Sequence, residues 1–407
     1  MTERRRIYLD NAATTRPLPA VVDAMADTQL DCFGNPSSSH AFGAPAKKAL
    51  EDARDFLRGT LGAARLVFTS GGSEADYLGI VGSAAARSPG RVLMAASDHP
   101  ALLATAQLSS RYRHHTAVLP VTPHGDLAPE TLFDALGSDV RTVALMYGHN
   151  ELGTLCRLHE LVELVRRTAP AAHVHVDLVQ TYGKLPFDMD DYDVDSVAVS
   201  GHKFHGPRGA GFLALANDAE VAPLQLAGGQ EGGLRGGTEN VAAAVGMAVA
   251  AEHMFTYQRS TAEHTAALAE RIYDAVLDVL PSAERLGHPE RRLPHILSLR
   301  LPEIVGQTLL ERCDAQGLAF STGSACHAGG DAERKPKKPR KDDGKPDNHV
   351  LAAIGFDRRA AREVVRLSFS GETTVEDADD AADILCAELE RLLAAAPRRT
   401  TGGAPTR

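Results

Sequence analysis

Short β-branched runs alternate with longer amphipathic stretches from about residue 17 to 260. The short runs are Leu66-Val67-Phe68, Val92-Leu93-Met94, Ala117-Val118-Leu119, Val143-Ala144-Leu145-Met146, Val174-His175-Val176 and Ser196-Val197-Ala198-Val199. Apolar runs of this length, bounded by turn residues, predict buried strands. Between them, 46–57, 73–85, 101–110 and 158–167 read as amphipathic helices. Such alternation predicts an α/β unit with a mainly parallel sheet and helices on both faces. Ligands in sheets of this kind sit beyond the carboxyl ends of the strands.

The pattern then changes. Residues 240–280 are alanine-rich and free of proline, and predict one or two long helices bridging to a second unit. After them, 296–300, 319–322 and 364–369 read as strands, and 306–316, 349–354 and 375–393 as helices. We therefore expect a large α/β domain over 16–258. A smaller α+β domain is expected over 259–394, joined by residues 1–15. Two segments fit neither. Residues 331–347 hold seven Lys or Arg, five Asp or Glu, three Pro and no large apolar side chain, so a mobile charged insertion is expected. Residues 395–407 are small, polar and basic, and read as a disordered tail.

Composition narrows the class. With 407 residues and 43% hydrophobic content, the chain can bury two sizeable cores. No apolar run reaches the roughly 18 residues of a membrane span, and the basic start is followed by Tyr8-Leu9-Asp10-Asn11 rather than an apolar signal core. A cytoplasmic protein is the expectation. A formal net charge of -10 argues against general nucleic-acid binding. The five cysteines are scattered, with no Cys-x-x-Cys pair, which fits reduced thiols rather than disulfides or a metal site.

The chemistry centres on Ser200-Gly201-His202-Lys203-Phe204-His205-Gly206-Pro207, which follows one predicted strand and precedes another near Gly211-Phe212. Lys203 on such a turn is able to form a Schiff base, and Asp177, ending the run His175-Val176-Asp177, is placed to hold a pyridinium nitrogen. That pair is what pyridoxal 5'-phosphate requires. An ordinary glycine-turn lysine is the competing reading. Thr69-Ser70-Gly71-Gly72-Ser73-Glu74 joins a strand to a helix, and its backbone N–H groups with the Ser73 hydroxyl make a phosphate cradle. Ser200 and His202 can add phosphate contacts, and Gln180 and Asn150 can bond the ring's phenolic oxygen. His99, in Asp98-His99-Pro100, can stack on the ring and take part in proton transfer, although a histidine after a strand is often structural. Arg366, inside an apolar run, suits a substrate carboxylate or a structural ion pair. Finally, Cys326 in Ser321-Thr322-Gly323-Ser324-Ala325-Cys326-His327 reads as an accessible nucleophile among small residues.

Taken together, these motifs resemble a cysteine desulfurase of the class V aminotransferase family, in the group with a long catalytic-cysteine loop. The resemblance runs from about residue 7 to 393. It includes Tyr8-Leu9-Asp10-Asn11-Ala12-Ala13-Thr14-Thr15, Gly34-Asn35-Pro36-Ser37-Ser38, Asn150-Glu151-Leu152-Gly153, Arg235-Gly236-Gly237-Thr238-Glu239-Asn240, Gly323-Ser324-Ala325-Cys326 and His349-Val350-Leu351. It implies a fold with a large pyridoxal-phosphate domain, a homodimer in which Thr238 reaches the partner subunit's cofactor phosphate, and a substrate site using Arg366 and Asn35. The implied reaction converts L-cysteine to L-alanine, leaving a persulfide on Cys326 for a sulfur-acceptor protein.

Three departures stand out. Leu178 occupies the place of the family's usual alanine beneath the ring, so a displaced ring is expected. His149 replaces the commoner asparagine before Asn150. The charged insertion follows the cysteine loop directly, and its run Arg334-Lys335-Pro336-Lys337-Lys338-Pro339-Arg340-Lys341 would steer an acidic protein, or an RNA-bound partner, toward Cys326, a solvated loop without function being the competing reading. Selenocysteine lyases also resemble the chain at Ala325-Cys326-His327. Selenocysteine cleavage, an aminotransferase or β-lyase activity, and a non-enzymatic scaffold are therefore the alternatives.

Overall fold

A computed structural model describes residues 5–225, 228–322 and 346–395. The first strand, β1 (Ile7–Tyr8), is followed by β2 (Arg65–Thr69), β3 (Arg91–Ala95), β4 (His115–Leu119), β5 (Val140–Met146), β6 (His173–Asp177), β7 (Ser196–Ser200) and β8 (Gly211–Leu215). Strands β2 to β8 form one seven-stranded sheet in the order β2-β8-β7-β6-β5-β3-β4. The β3, β4, β5, β6 and β7 pairings are all parallel. Only β8 runs against its neighbours β2 and β7, because the Lys203 turn sends the chain straight back. The mainly parallel α/β sheet expected from the sequence is thus observed.

Side-chain alternation explains why the sheet is covered twice. Leu66, Phe68, Leu93, Val174, Val176, Val197 and Val199 face one core, where the helices Gly43–Gly59, Leu158–Thr168 and Val241–Thr256 pack. Their neighbours Val67, Ala198, Leu213, Val92, Met94 and Ala144 face the other, beneath the helical stretch that begins at Gly72 and the helix Pro100–Ser109. Both β6 and β7 are buried along their whole length, as strands covered on both faces must be.

The predicted helical stretch 240–280 is two helices, Val241–Thr256 and Gln258–Val279, interrupted at Tyr257. Beyond it lie β9 (Glu284–Arg285), β10 (Ile296–Arg300), β11 (Leu318–Ala319), β12 (Ser321–Thr322) and β13 (Val364–Ser368). A second, antiparallel sheet has the order β12-β13-β10-β9. Its core joins Leu297, Leu299, Val365 and Leu367 to Ile272, Leu309, Leu385 and Leu389 on the helices Gln258–Val279, Gly306–Asp314 and Val375–Ala395. The single strand expected at 319–322 is two short ones: β11 pairs with β1, and β12 with β13. Among the described residues four α-helices went unpredicted, Pro19–Asp31, Pro129–Ala135, Met189–Tyr192 and Arg358–Arg362. Each is short or lacks a continuous apolar stripe.

Candidate active site

A cavity of about 230 Å³ lies beyond the carboxyl ends of β5, β6 and β7. It is lined by Gly72, Ser73, His99, Asn150, Asp177, Gln180, Ser200, His202 and Lys203, all foreseen from the sequence, and by Asp76, Met146 and Val179, which were not. The local reasons are simple. Strand β6 ends at Asp177, β7 delivers Ser200 and the turn with His202 and Lys203, and the helix Gly72–Tyr77 starts at the glycine turn.

Lys203 Nζ donates to the carbonyl oxygens of Ala12 at 2.7 Å and Ala13 at 2.8 Å. Asp177 Oδ1 accepts from the Val179 amide at 2.7 Å. Burial, with the nearby Asp76 carboxyl adding to it, pushes the Asp177 carboxyl up to about 8. A carboxyl in that state becomes ionised once a cation is set against it. Gln180 Nε2 donates to Ala12 O at 2.9 Å, while its Oε1 is buried without a partner.

Three histidines around the cavity are neutral. Burial, then Lys203 and His349, lower His99 to about 4. Its Nδ1 accepts from the Ala101 amide at 3.1 Å, capping the helix Pro100–Ser109, so the ring proton resides on Nε2. His202 is lowered to about 4 by burial and Lys203, and its Nδ1 lies 3.1 Å from Thr14 Oγ1. His149 is lowered to about 3 by burial. Its Nδ1 accepts from the Glu151 and Leu152 amides and its Nε2 donates to Ser97 O at 3.0 Å. The departure at His149 therefore buttresses the turn that presents Asn150.

Leu178 does not face the cavity, contrary to the expectation that it lies beneath the ring. Leu178 is fully buried in the core under the sheet, and Val179 lines the cavity instead. Leu178 keeps the parity of Val174 and Val176, which face that core, and Val179 keeps the parity of Asp177, so the alternation of β6 carries one step past its end.

Other predicted residues stand apart. Arg366, on β13, donates through Nη2 to Asp10 Oδ1 at 2.6 Å and through Nη1 to Asn150 O at 3.0 Å, and its Nε is buried without a partner. It reaches the cavity's rim through Asn150 but does not line it. Asn35 is exposed, its Oδ1 accepting from the Ser37 amide at 2.8 Å. Thr238 is exposed, and so free of the cavity within a single chain. Its loop is fastened to the phosphate turn: Glu231 takes the Arg54 guanidinium as a fork at 2.7 and 3.0 Å and the Phe68 amide at 2.8 Å, and Arg235 Nε donates to Glu74 Oε1 at 3.2 Å.

Cys326 and most of the charged insertion lie outside the described residues. The described ends of that segment both meet the site. Ser321 on β12 is in register with Arg366. On the return, Asn348 Nδ2 donates to Glu151 Oε2 at 2.7 Å and His349 Nε2 to Asp98 O at 2.9 Å. Glu151 adjoins Asn150, and Asp98 adjoins His99.

The residues present fit pyridoxal phosphate. A Cβ at Gly72 would meet Val179 Cγ2 at 2.7 Å and Ser200 Cβ at 3.3 Å, so only glycine leaves the cradle open. The unpartnered Gln180 Oε1 has hydrogen-bonding capacity for a polar ring substituent. Among the described residues, no group of three or more His, Cys, Asp or Glu side chains could hold a metal ion. No helix among them is long and apolar enough to cross a membrane. Sequence reasoning missed Asp76. Its helix, Gly72–Tyr77, also carries Ser73 and Glu74, so nothing local set the second carboxylate apart.

Comparison with known proteins agrees. The family model Aminotransferase class-V matches residues 7–380. Cysteine desulfurase NifS of Azotobacter vinelandii is 35% identical over 378 residues, covering 92% of this chain and 90% of the relative. Among solved structures, a NifS-like protein superposes with a TM-score of 0.84 at 30% identity, covering 96% of this chain and 99% of the other. A structure described as SspA in complex with cysteine gives a TM-score of 0.75 at 28% identity, covering 90% and 100%.

Proposed function

Because the chain belongs to the class V aminotransferase family, we propose that it is a pyridoxal-phosphate-dependent cysteine desulfurase. The observation that carries this reading is the convergence of Lys203, Asp177 and the Gly72-Ser73 turn on one cavity. The NifS relative and the cysteine complex of SspA support the substrate.

Pyridoxal phosphate, when bound through Lys203, supplies an electron sink for the charge left when the substrate's α-proton is removed. Gly72, Ser73, Ser200 and His202 would hold the phosphate end, and Asp177 would accept the ring N–H. Lys203 carries the α-proton. His99, neutral with its proton on Nε2, lines the cavity and would donate to the bound group rather than accept from it. The Cys326 thiolate then takes the substrate's sulfur: the Cβ–S bond breaks, a sulfur–sulfur bond forms, and the pair left on carbon is protonated. The balance is one cysteine and one thiol in, one alanine and one persulfide out. A sulfur-acceptor protein would discharge the persulfide.

A homodimer accords with the surface. Phe33 and Phe42, 67% and 63% exposed, stand with ring centroids 5.5 Å apart, and paired exposed aromatics mark association surfaces. Thr238, exposed on a fastened loop, would complete the partner's phosphate site.

Incubating purified protein with pyridoxal phosphate and L-cysteine should give alanine and, with a reducing thiol, sulfide in equal amounts. A keto acid in place of alanine would sink the reading, and markedly faster turnover of selenocysteine would redirect it to selenocysteine cleavage.

The place of Arg366 gives a second expectation. Its fork is shared between Asp10 and the Asn150 carbonyl, so a substrate carboxylate would compete with Asp10 for the guanidinium. Arg366→Lys keeps the charge and loses the planar fork, and the substrate KM should rise about tenfold with cofactor content unchanged. Loss of cofactor at constant KM would mark Arg366 as structural.

A further inference from the structure

Asp76 is, besides Asp177, the only carboxyl side chain lining the cavity among the described residues. It is 1% exposed, on the helix that begins at the phosphate turn. Its Oδ1 lies 3.2 Å from His175 Nε2, His175 Nδ1 lies 2.8 Å from Ser196 Oγ, and Ser196 Oγ lies 2.7 Å from His173 Nε2. All four side chains are buried, and His173 Nδ1 has no hydrogen-bond partner. His175 is two residues before Asp177 on β6, so the two project to the same side. The helical segment makes room for it: a Cβ at Gly79 would fall 2.4 Å from His175 Nδ1. This row of groups fastens the helix bearing the phosphate turn to the strand bearing Asp177.

The single hydroxyl proton of Ser196 lets the row run in two directions. If Ser196 donates to His173, it accepts from His175 Nδ1–H. His175 Nε2 is then bare, and Asp76 must be the donor. If Ser196 donates to His175 instead, His175 Nε2–H faces an Asp76 carboxylate. That second arrangement puts two buried carboxylates at one cavity, with no Lys or Arg ion-paired to Asp76. The first leaves one N–H without a partner, at His173 Nδ1. Burial, then Arg87, His175 and Arg166, keep His173 uncharged in either arrangement. A lone unpaired N–H nevertheless costs far less than an uncompensated buried carboxylate beside another. Burial also drives the Asp76 carboxyl well above its usual range.

We infer that Asp76 is a positioning residue that stays protonated and donates to His175, leaving Asp177 as the only carboxylate charge against the ring nitrogen. This rests on the pyridoxal-phosphate reading of the cavity.

The test uses the holoenzyme. Asp76→Asn keeps a donor toward His175 and carries no charge. It should hold pyridoxal phosphate within about threefold of wild type and move the pH midpoint of the band near ~420 nm by less than about 0.3 unit. Asp76→Ala, which deletes the donor, should loosen the cofactor about tenfold. A midpoint moved by about one unit or more in Asp76→Asn would mean that a real charge was removed beside the ring, and overturns the inference. Equal loosening by Asn and Ala, or none by Ala, overturns the donor role. Should Asp76→Ala not fold, the near-isosteric Asp76→Asn decides alone. A wild-type protein without the band would refute the cofactor reading instead.

Discussion

Lys203→Ala is expected to abolish alanine formation from cysteine, by about 10³-fold or more, on the order of 4 kcal/mol of transition-state stabilisation. The absorbance band near ~420 nm should vanish with it, since Lys203 is the one lysine lining the cavity among the described residues. The variant should still fold. It loses the two hydrogen bonds from Nζ to the Ala12 and Ala13 carbonyls. At roughly 1.5–3 kcal/mol each for a charged donor, that is tolerable only in part against a stability of about 5–15 kcal/mol. Removing this half-buried cation also relieves its repulsion on the neighbouring Lys184. Circular dichroism near that of the wild type, with turnover lost, is the expected pair of results. Near-normal turnover would displace Lys203 from the centre of the site.

The sequence was most legible where a function needs a residue at the end of a strand. Asp177, Ser200 and Lys203 follow β-branched runs whose burial leaves little freedom, and all reach the cavity together. It was least legible across long separations. Asp10 and Arg366 are 356 residues apart, and neither signals the other locally. Arg366 could thus be read as a carboxylate clamp while its resident ion pair stayed unseen. The Leu178 error has a different origin. Alternation along β6 puts Leu178 on the core side with Val174 and Val176 and Val179 on the cavity side with Asp177, a parity the reading of residue 178 did not apply. The helix Pro19–Asp31 was missed because only Val21 and Thr28 of its residues are buried, so no broad apolar stripe marked it. Asp76 was overlooked because a carboxylate two residues after Glu74 in a short polar helix is indistinguishable from a surface residue until its burial and the His175 contact are known.

Cys326→Ser should separate cofactor chemistry from sulfur transfer. The hydroxyl cannot form a persulfide, so sulfide release should fall by at least about 10³-fold, while the cofactor spectrum and its response to cysteine persist. Four other thiols could in principle carry the sulfur, and the structure disfavours three of them. Burial pushes the thiol of Cys313, fully enclosed in the core of the second sheet, up to about 12. The Cys386 thiol is pushed by burial up to about 11, and its Sγ donates to Ala275 O at 3.3 Å. The Cys156 thiol is raised further by burial, with Asp98 and Asp126 adding to it. Since the thiolate is the nucleophile, these three are inert near neutral pH. Cys32 ends the helix Pro19–Asp31, its amide bonded to Thr28 O, and does not line the cavity. The segment with Cys326, by contrast, leaves from a strand in register with Arg366 and returns at Asn348 and His349, which hold Glu151 and the Asp98 carbonyl. Mass spectrometry of wild-type protein after cysteine addition should therefore find one extra sulfur on the peptide containing Cys326, and none in Cys326→Ser. An adduct on Cys32, Cys156, Cys313 or Cys386 would assign the nucleophile elsewhere.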